Sequence, residues 1–290
     1  MPNPLSAGKA RRPARQDGQQ DETTGKTNTV SLTHTIILAI IQGIAEFLPI
    51  SSSGHLVIAA ALLANNQVAQ FDVTDVNIVL HAGTLLSIIV IYWHRIWRLA
   101  GEDIRTIPLL IVGTIPVVIV GFTAKSLFEP LLANALLAGG MLIINGAILL
   151  ITSGIPHGDC RYQEMGMMRA LWIGLAQSFA ILPGISRSGT TICTGLFAGL
   201  SRQDAATFSF LLAIPAIGGA STLEIVHLIK DAELTTPILN LVVGAMIAFV
   251  VGLGSLSWLI RWLEKGRLQH FAYWCLLVGA GVVVWQLVTK

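Results

Sequence analysis

A series of apolar runs, each about 20 residues long, constrains this chain more than any other feature. A helix needs roughly 20 apolar residues to cross the hydrocarbon core of a membrane. The runs of that length lie at 76–94, 107–124, 131–152, 205–229, 237–260 and 271–289. Only 12% of the 290 residues are charged, where an ordinary soluble domain has about 25%. The sequence therefore predicts an all-α polytopic membrane protein and excludes a soluble enzyme and a nucleic-acid-binding protein.

Two further apolar stretches, 35–64 and 170–201, are broken in their middle by Pro, Gly and Ser. The first break reads Leu48-Pro-Ile-Ser-Ser-Ser-Gly54 and the second reads Leu182-Pro-Gly-Ile-Ser-Arg-Ser-Gly189. The half-helices on either side have about 10–14 residues, which is too short to span. Irregular backbone at membrane depth persists only where it is buried in protein or lines a wet cavity. Both stretches are therefore predicted to be re-entrant hairpins whose breaks line a cavity.

The two broken stretches also resemble each other at an offset of 135 residues. The identical pairs are Gln42 and Gln177, Ala45 and Ala180, Ile50 and Ile185, Ser51 and Ser186, Ser53 and Ser188, and Gly54 and Gly189. We expect two inverted repeats, at about 35–152 and about 170–289, each a re-entrant helical hairpin followed by three transmembrane helices. Because three is odd, the second repeat enters from the opposite side, and the two hairpin tips can meet near the midplane.

The polar N-terminal segment, residues 1–30, is predicted to be a disordered tail separate from a transmembrane domain at 31–290. Basic residues near the span ends predict the orientation, because cytoplasmic loops carry an excess of them. One side has nine, namely Arg95, Arg98, Arg105, Arg161, Arg169, Arg202, Arg261, Lys265 and Arg267. The other has three, namely Lys125, Lys230 and Lys290. The nine-residue side is predicted to be cytoplasmic, although five basic residues of the tail argue the other way.

The polar residues of the two breaks point to phosphate chemistry. Glu46 lies one turn before the first break and Arg187 lies within the second, and a charge at bilayer depth is costly without a function or a partner. Half-helix N-termini and an arginine side chain both suit phosphate oxygens. His55 lies close to three serines and could act as a base for a nucleophilic hydroxyl. The pattern predicts phosphoryl-group chemistry on a substrate that resides in the membrane.

Other interpretations of the same residues remain open at this point. Glu46 and Arg187 could form a structural ion pair, and serines at a helix break often serve only as caps and turn residues. The same groups could also bind an anionic lipid head group in transit, because inverted repeats with broken helices are a transporter architecture. His81 lies one turn from Asn77 and is expected to have a structural role. Glu224 lies near a span end, and its side chain is expected to extend toward water.

The segment Gln42-Gly-Ile-Ala-Glu-Phe-Leu-Pro-Ile-Ser-Ser-Ser-Gly-His55 resembles the first signature of the bacterial undecaprenyl-diphosphate phosphatases of the bacitracin-resistance type. Pro183-Gly-Ile-Ser-Arg-Ser-Gly-Thr-Thr191 resembles their second signature, Pro-Gly-x-Ser-Arg-Ser-x-x-Thr. Val79-Leu-His-Ala-Gly-Thr84 is similar to a third, weaker stretch. The resemblance extends over roughly residues 31–290.

The resemblance implies an integral membrane phosphatase that hydrolyses undecaprenyl diphosphate to undecaprenyl phosphate and inorganic phosphate. This reaction recycles the lipid carrier for peptidoglycan and cell-wall synthesis and confers bacitracin resistance. The implied location is the bacterial inner membrane, with many spans and with the site facing the periplasmic or outer side. The resemblance also implies a divalent cation, Mg²⁺ or Ca²⁺, and a homodimer.

The resemblance carries site residues over to this chain. The implied catalytic set is Glu46, Ser52, His55 and Arg187. The implied substrate-binding set is Gln42, Ser51, Ser53, Ser186, Ser188 and Thr191. Glu46 is also the implied metal ligand, but the family often has Glu where this chain has Gln42, which weakens a metal site with two carboxylates. Attack by Ser52 with His55 as base, and direct attack by metal-bound water, both remain open.

Overall fold

The computed structural model describes residues 30–63, 74–132, 134–156, 158–231 and 236–289. The predicted disordered tail lies outside the described residues except for Val30. Within these ranges the chain forms helices and no named strand. They are α1 (Leu32–Ala45), α2 (Ser52–Leu63), α3 (Thr74–Ile91), α4 (Trp93–Leu99), α5 (Thr106–Leu132), α6 (Ala135–Ser153), α7 (Met167–Phe179), α8 (Arg187–Phe197), α9 (Arg202–Asp231), α10 (Ile238–Glu264) and α11 (Leu268–Val288).

Five spans, or six if a bent pair of helices counts as one span, follow from the length and apolar composition of the described helices. Five helices, α5, α6, α9, α10 and α11, are each long and apolar enough to cross a membrane. α3 and α4 pass the same test only as a pair, and they are bent by 77° where they meet at Tyr92. The prediction of a polytopic all-α membrane protein is confirmed, and the predicted span at 76–94 is the bent one.

Two pairs of short helices stand where the sequence predicts hairpins. α1 ends at Ala45 and α2 begins at Ser52, while α7 ends at Phe179 and α8 begins at Arg187. The two helices of each pair pack against each other. α1 also packs against α10, α7 against α5, and α6 against α11. An inverted repeat would pair the helices in this reciprocal way, and the repeat itself stays a prediction.

The α5–α7 pair illustrates how closely these helices approach. A Cβ atom on Gly174 of α7 would lie 2.3 Å from the carbonyl oxygen of Gly113 on α5, so only glycine fits there. Small residues at such crossings are the usual means of packing helices inside a membrane. This crossing holds the first hairpin helix of the second pair directly against α5, one turn before Gln177.

The loops that carry most of the arginines contact one another through their side chains at one end of the helix bundle. The Tyr162 hydroxyl donates to Asp103 at 3.4 Å, and the Tyr162 backbone N–H donates to Asp204 at 3.3 Å. Burial and the neighbouring Asp103 carboxylate raise the pKa of the Tyr162 phenol, which keeps this donor protonated. The Arg202 guanidinium lies against Gly266. Four connections are thereby joined, and the nine basic residues counted on one side lie in or beside them. We call this the basic end.

Candidate active site

Ser51 joins the tips of the two hairpins. Among the described residues it is the one non-glycine residue with a positive φ, 70°, a conformation that costs about 1–2 kcal/mol unless the surroundings hold it. Its Oγ accepts hydrogen bonds from the N–H of Gly54 at 3.2 Å and from the N–H of Gly184 at 3.1 Å. The first bond lies within one hairpin and the second crosses to the other. The two breaks therefore meet, as the sequence predicts.

Asn145 of α6 makes a second link between the tips. Its Nδ2 donates to the Pro49 carbonyl at 2.9 Å, and its Oδ1 accepts from the Ser186 N–H at 3.0 Å. It is 1% exposed, so these bonds satisfy a polar group that would otherwise be costly in an apolar span. The sequence predictions do not include this residue, although one asparagine in the middle of an apolar run is a usable signal.

The carboxylate of Glu46 is the centre of the site. Its Oε1 accepts from Arg187 Nη2 at 2.7 Å, so one residue from each hairpin forms an ion pair. Its Oε2 accepts from Ser52 Oγ at 2.7 Å and from Gln42 Nε2 at 3.0 Å. Charge-assisted hydrogen bonds of this kind stabilise a buried charge, and Glu46 is 8% exposed. Three residues that the sequence singles out therefore converge on the carboxylate of a fourth.

Glu46, Ser52 and Arg187 line a cavity of about 330 Å³, which we call the site cavity. Ser53 and Ser186 also line it, as predicted. Four polar residues that the sequence predictions leave out of the site complete the polar lining, namely His81, Gln177, Ser221 and Glu224. The remaining lining is apolar and consists of Ala45, Val117, Ala180, Ile181, Ile185, Ala216, Ile217 and Ala220.

The site cavity holds a donor suited to an anion. Arg187 Nη1 is buried and has no hydrogen-bond partner among the described residues, whereas Nη2 of the same group is paired with Glu46. Helix α8 begins at Arg187, and Ser186 is its N-cap: the Ser186 Oγ accepts a hydrogen bond from the Gly189 N–H at 3.0 Å. Helix N-termini favour negative charge. One half of a guanidinium is thus left to bind a phosphate oxygen.

The structure does not bring His55 to Ser52. His55 Nδ1 lies 2.8 Å from the carbonyl oxygen of Ser51, and its Nε2 accepts from Trp274 Nε1 at 3.0 Å. The imidazole and indole rings are nearly coplanar, with an interplanar angle of 10° and ring centroids 6.3 Å apart, as this in-plane hydrogen bond requires. Both ring nitrogens are therefore engaged, and His55 is not part of the cavity lining. In this geometry His55 fixes the strained Ser51 tip, and Glu46 is the group placed to accept the Ser52 proton.

Three of the residues predicted to contact phosphate lie behind the cavity wall. Ser51 ties the tips together, and Ser188 donates to the Leu48 carbonyl at 3.3 Å. The Thr191 hydroxyl lies 2.6 Å from the Ser209 hydroxyl of α9. All three are buried and absent from the cavity lining. The structure shows them as framework residues, and their contact with a substrate stays a prediction.

His81 and Glu224 lie in the site cavity, although their default interpretation is structural or interfacial. His81 Nδ1 lies 2.8 Å from the Asn77 carbonyl oxygen, and its Nε2 lies 3.8 Å from Glu46 Oε2. The contact with Asn77 agrees with the predicted structural role. The position beside Glu46 is not apparent from the sequence, because nothing in the local pattern shows that α3 faces the first hairpin.

The donor set allows a divalent cation only with help from a substrate. Within the part of the chain that the structure describes, no three His, Cys, Asp or Glu residues are grouped to hold a metal. Glu46 and Glu224 both line the site cavity, however. Mg²⁺ typically binds one or two carboxylates together with substrate phosphates. An ion bound here would take one or both of these carboxylates together with phosphate oxygens and water, and its presence stays a prediction.

Replacing Gly184 by alanine is expected to dismantle the junction of the tips. Gly184 has a φ of 101°, and a Cβ there would lie 2.3 Å from the Ala138 carbonyl oxygen. We expect Gly184→Ala to lower the melting temperature of the purified protein and to reduce activity at least about tenfold, because the strain of a positive φ and the steric clash of the new Cβ both destabilise the folded state. Gly140→Ala is the matched control, since a Cβ there meets nothing within 4 Å. Equal melting temperatures for the two variants would contradict the described junction.

Comparisons with known proteins agree with the motifs. Residues 35–281 match the family model described as "Bacitracin resistance protein BacA". A protein of Rhodopirellula baltica named "Undecaprenyl-diphosphatase" is 49% identical over 257 residues, covering 88% of this chain and 98% of that protein. Proteins with the same name from Desulfosudis oleivorans and Bacteroides thetaiotaomicron are 40% and 37% identical, and cover 86% and 89% of this chain.

Proposed function

The chain belongs to the BacA family of bacitracin resistance proteins, and on this basis we propose that it is an undecaprenyl-diphosphatase. It hydrolyses undecaprenyl diphosphate to undecaprenyl phosphate and inorganic phosphate, which returns the lipid carrier to cell-wall synthesis. The observation that carries the proposal is the convergence of Ser52, Glu46 and Arg187 in the site cavity, with Arg187 Nη1 unpaired among the described residues. A nucleophile, a base and a phosphate ligand are present together.

The first chemical step uses Ser52 and Glu46. The Ser52 hydroxyl transfers its proton to Glu46 Oε2, which lies 2.7 Å away, as Oγ attacks the terminal phosphorus. A bond forms between Oγ and phosphorus, and the bond between phosphorus and the bridging oxygen breaks. Undecaprenyl phosphate leaves with the electron pair of that bond. Arg187 neutralises charge on the transferring phosphoryl group.

The second step regenerates the serine. A water molecule attacks the phosphorus of phosphorylated Ser52, and the bond from phosphorus to Oγ breaks. Ser52 Oγ takes back the proton held by Glu46, and both protons of the water stay on the departing phosphate, which leaves as H2PO4⁻. A divalent cation held by Glu46, Glu224 and phosphate oxygens would offset further negative charge. Direct attack by water on the diphosphate is the competing route.

The position of the site cavity along α9 supports an outward-facing site. α9 starts at Arg202 in the basic end, and its cavity-lining residues run from Ala216 to Glu224. At 1.5 Å per residue these lie about 21–33 Å from Arg202 along the helix. The cavity therefore lies toward the end opposite the basic residues. With the basic end in the cytoplasm, we propose that the site faces the periplasmic side of the bacterial inner membrane. We also propose that the protein assembles as a homodimer.

The direct test is phosphate release from undecaprenyl diphosphate by the detergent-solubilised, full-length protein. Detergent removes compartments, so a protein that only transports the lipid would release no phosphate. We expect catalytic release of one phosphate per lipid, with undecaprenyl phosphate as the other product. Absence of release from well-folded protein, in the presence of Mg²⁺ and of Ca²⁺, would overturn the proposed function and favour transport, which no observation on the site favours at present.

Chelation is expected to lower the activity. Exhaustive treatment with EDTA should reduce the rate at least about tenfold, because Arg187 alone would then offset the charge of a diphosphate. Addition of Mg²⁺ or Ca²⁺ should restore the rate, and Glu224→Gln should raise the cation concentration needed for half-maximal activity. An unchanged rate after chelation, with removal of metal verified by elemental analysis, would exclude the proposed cation.

A further inference from the structure

Gln177 has an unusual position for a buried amide. It lies near the C-terminal end of α7, shortly before the second break, lines the site cavity, and is 1% exposed. Neither its Nε2 nor its Oε1 has a hydrogen-bond partner among the described residues. A buried donor or acceptor that is left unpaired destabilises the fold, so an amide in this state within a cavity wall indicates a ligand that completes its bonding.

A comparison with Gln42 shows why the amide is free. Gln42 occupies the corresponding position of the first hairpin, 135 residues earlier, and its Nε2 donates to Glu46 one turn later on the same helix. The residue one turn after Gln177 is Ile181, which offers no polar atom. The first hairpin therefore uses its glutamine to hold the catalytic carboxylate. In the second hairpin the equivalent side chain, Gln177, has no hydrogen-bond partner among the described residues.

The surroundings of Gln177 indicate which part of a diphosphate it meets. Ser52, which attacks the terminal phosphate, and Arg187, which binds it, lie at the tips of the hairpins. Gln177 lies instead in the wall where α7 packs on α5, together with Val117, Ala180 and Ile181. This wall is apolar apart from the amide, and an apolar wall is where a prenyl chain leaves a polar pocket. A diphosphate whose terminal phosphate meets Ser52 and Arg187 would therefore have its lipid-linked phosphate between the two regions.

We propose that the Gln177 amide donates a hydrogen bond to the phosphate that stays on the lipid. The inference rests on the proposed function and deepens it, because it assigns the two phosphates to two sets of residues: the terminal one to Ser52 and Arg187, the lipid-linked one to Gln177. Gln177 Oε1 is left to accept from water that accompanies the head group. Gln177 is thus a specificity residue that recognises a lipid phosphate rather than free phosphate.

The test compares Gln177→Met and Gln177→Glu with Ser178→Ala in the full-length protein. Methionine keeps the length of the side chain and removes both polar atoms, while glutamate keeps the shape and places a negative charge beside the phosphate. Ser178 is the neighbouring residue on α7, it donates to the Gly174 carbonyl, and it does not line the cavity. It controls for changes on this helix that do not reach the ligand.

We expect Gln177→Met to raise the KM for undecaprenyl diphosphate and the inhibition constant of undecaprenyl phosphate, each about tenfold or more, as a lost bond to a charged group should. The inhibition constant of inorganic phosphate should stay unchanged, because it occupies the Ser52 and Arg187 region. The melting temperature should not fall, since an unpaired buried amide has been removed. Gln177→Glu should weaken binding of the lipid phosphate further, and Ser178→Ala should match the wild type.

Each other result has a definite meaning. A rise in the inhibition constant of inorganic phosphate, without one for undecaprenyl phosphate, would overturn the assignment to the lipid-linked phosphate. Wild-type constants for both variants would overturn the inference while leaving the proposed function intact. If the wild-type protein releases no phosphate at all, the proposed function fails instead, and direct binding of undecaprenyl phosphate to wild type and to Gln177→Met still tests the contact.

Discussion

Replacement of Arg187 by alanine is expected to lower kcat/KM for phosphate release by about a thousandfold or more. A guanidinium that stabilises the charge of a transferring phosphoryl group has an effect of that size in other phosphoryl-transfer sites. Here Arg187 Nη2 is 2.7 Å from Glu46 Oε1, and Nη1 is unpaired among the described residues and belongs to a side chain that lines the site cavity. Arg187→Lys should recover only part of the activity, because an ammonium group cannot hold both the carboxylate and a phosphate in one plane.

The same substitution removes the partner of a buried carboxylate, and this second effect must be separated from catalysis. Arg187→Ala leaves Glu46 uncompensated and should lower the melting temperature. The double variant Glu46→Gln, Arg187→Met removes both charges, so it should regain the melting temperature without regaining activity. Arg261→Ala, at an exposed position in the basic end, serves as the control for loss of a cation. Near-normal kcat/KM in Arg187→Ala would refute the phosphate-binding role and leave Glu46 and Arg187 as a structural ion pair.

Ser52→Ala is expected to reduce kcat by about a thousandfold or more while changing KM little, because the serine reacts but contributes little to binding. Its hydroxyl is 2.7 Å from Glu46 Oε2, the geometry of a nucleophile beside its base. Brief incubation with substrate labelled in the terminal phosphate, followed by acid quenching, should trap label on the wild-type protein and none on the Ser52→Ala protein. Peptide mapping should place the label on Ser52.

The control and the competing route are both accessible. Ser153→Ala removes a hydroxyl that donates to the Leu150 carbonyl at the end of α6 and does not line the site cavity, so it should leave kcat unchanged. Full activity of Ser52→Ala would refute the serine route and establish direct attack by water. Activity lost without a trapped phosphoserine would leave Ser52 as a residue that orients the water or Glu46.

Much of the architecture follows from local sequence, because membrane spans are set by length and apolar composition. The Pro, Gly and Ser residues at the two breaks are enough to predict that α1 pairs with α2 and α7 with α8. Glu46 and Arg187 are identifiable by a similar argument, since charges in apolar segments need partners. The bend at Tyr92 is the feature of the spans that the pattern does not reveal, because the apolar run continues through it.

The rest of the site depends on contacts between residues far apart in sequence. The spacing of Ser52 and His55 allows a contact on one helical face, but the Ser51 carbonyl and Trp274, 219 positions beyond His55, engage the imidazole instead. In the sequence Gln177 stands out only as half of a repeated pair. Its significance depends on which helix packs across from it and on the absence of a polar neighbour at Ile181. The first of these is a contact between α7 and α5, which no local pattern encodes.

The ion pair between Glu46 and Arg187 joins the two halves of the polypeptide, and this bears on how the protein is made. Ser52 and Glu46 are synthesised with the first hairpin, and Arg187 follows 141 residues after Glu46. A nascent chain that has inserted only its first hairpin and the three spans after it holds a carboxylate that lacks its counter-charge, so we expect it to be inactive. Activity should begin only when the second half has entered the membrane and packed against the first. Two separately expressed halves, cut in the connection after α6, should each be inert and should become an enzyme when they are produced in the same cell.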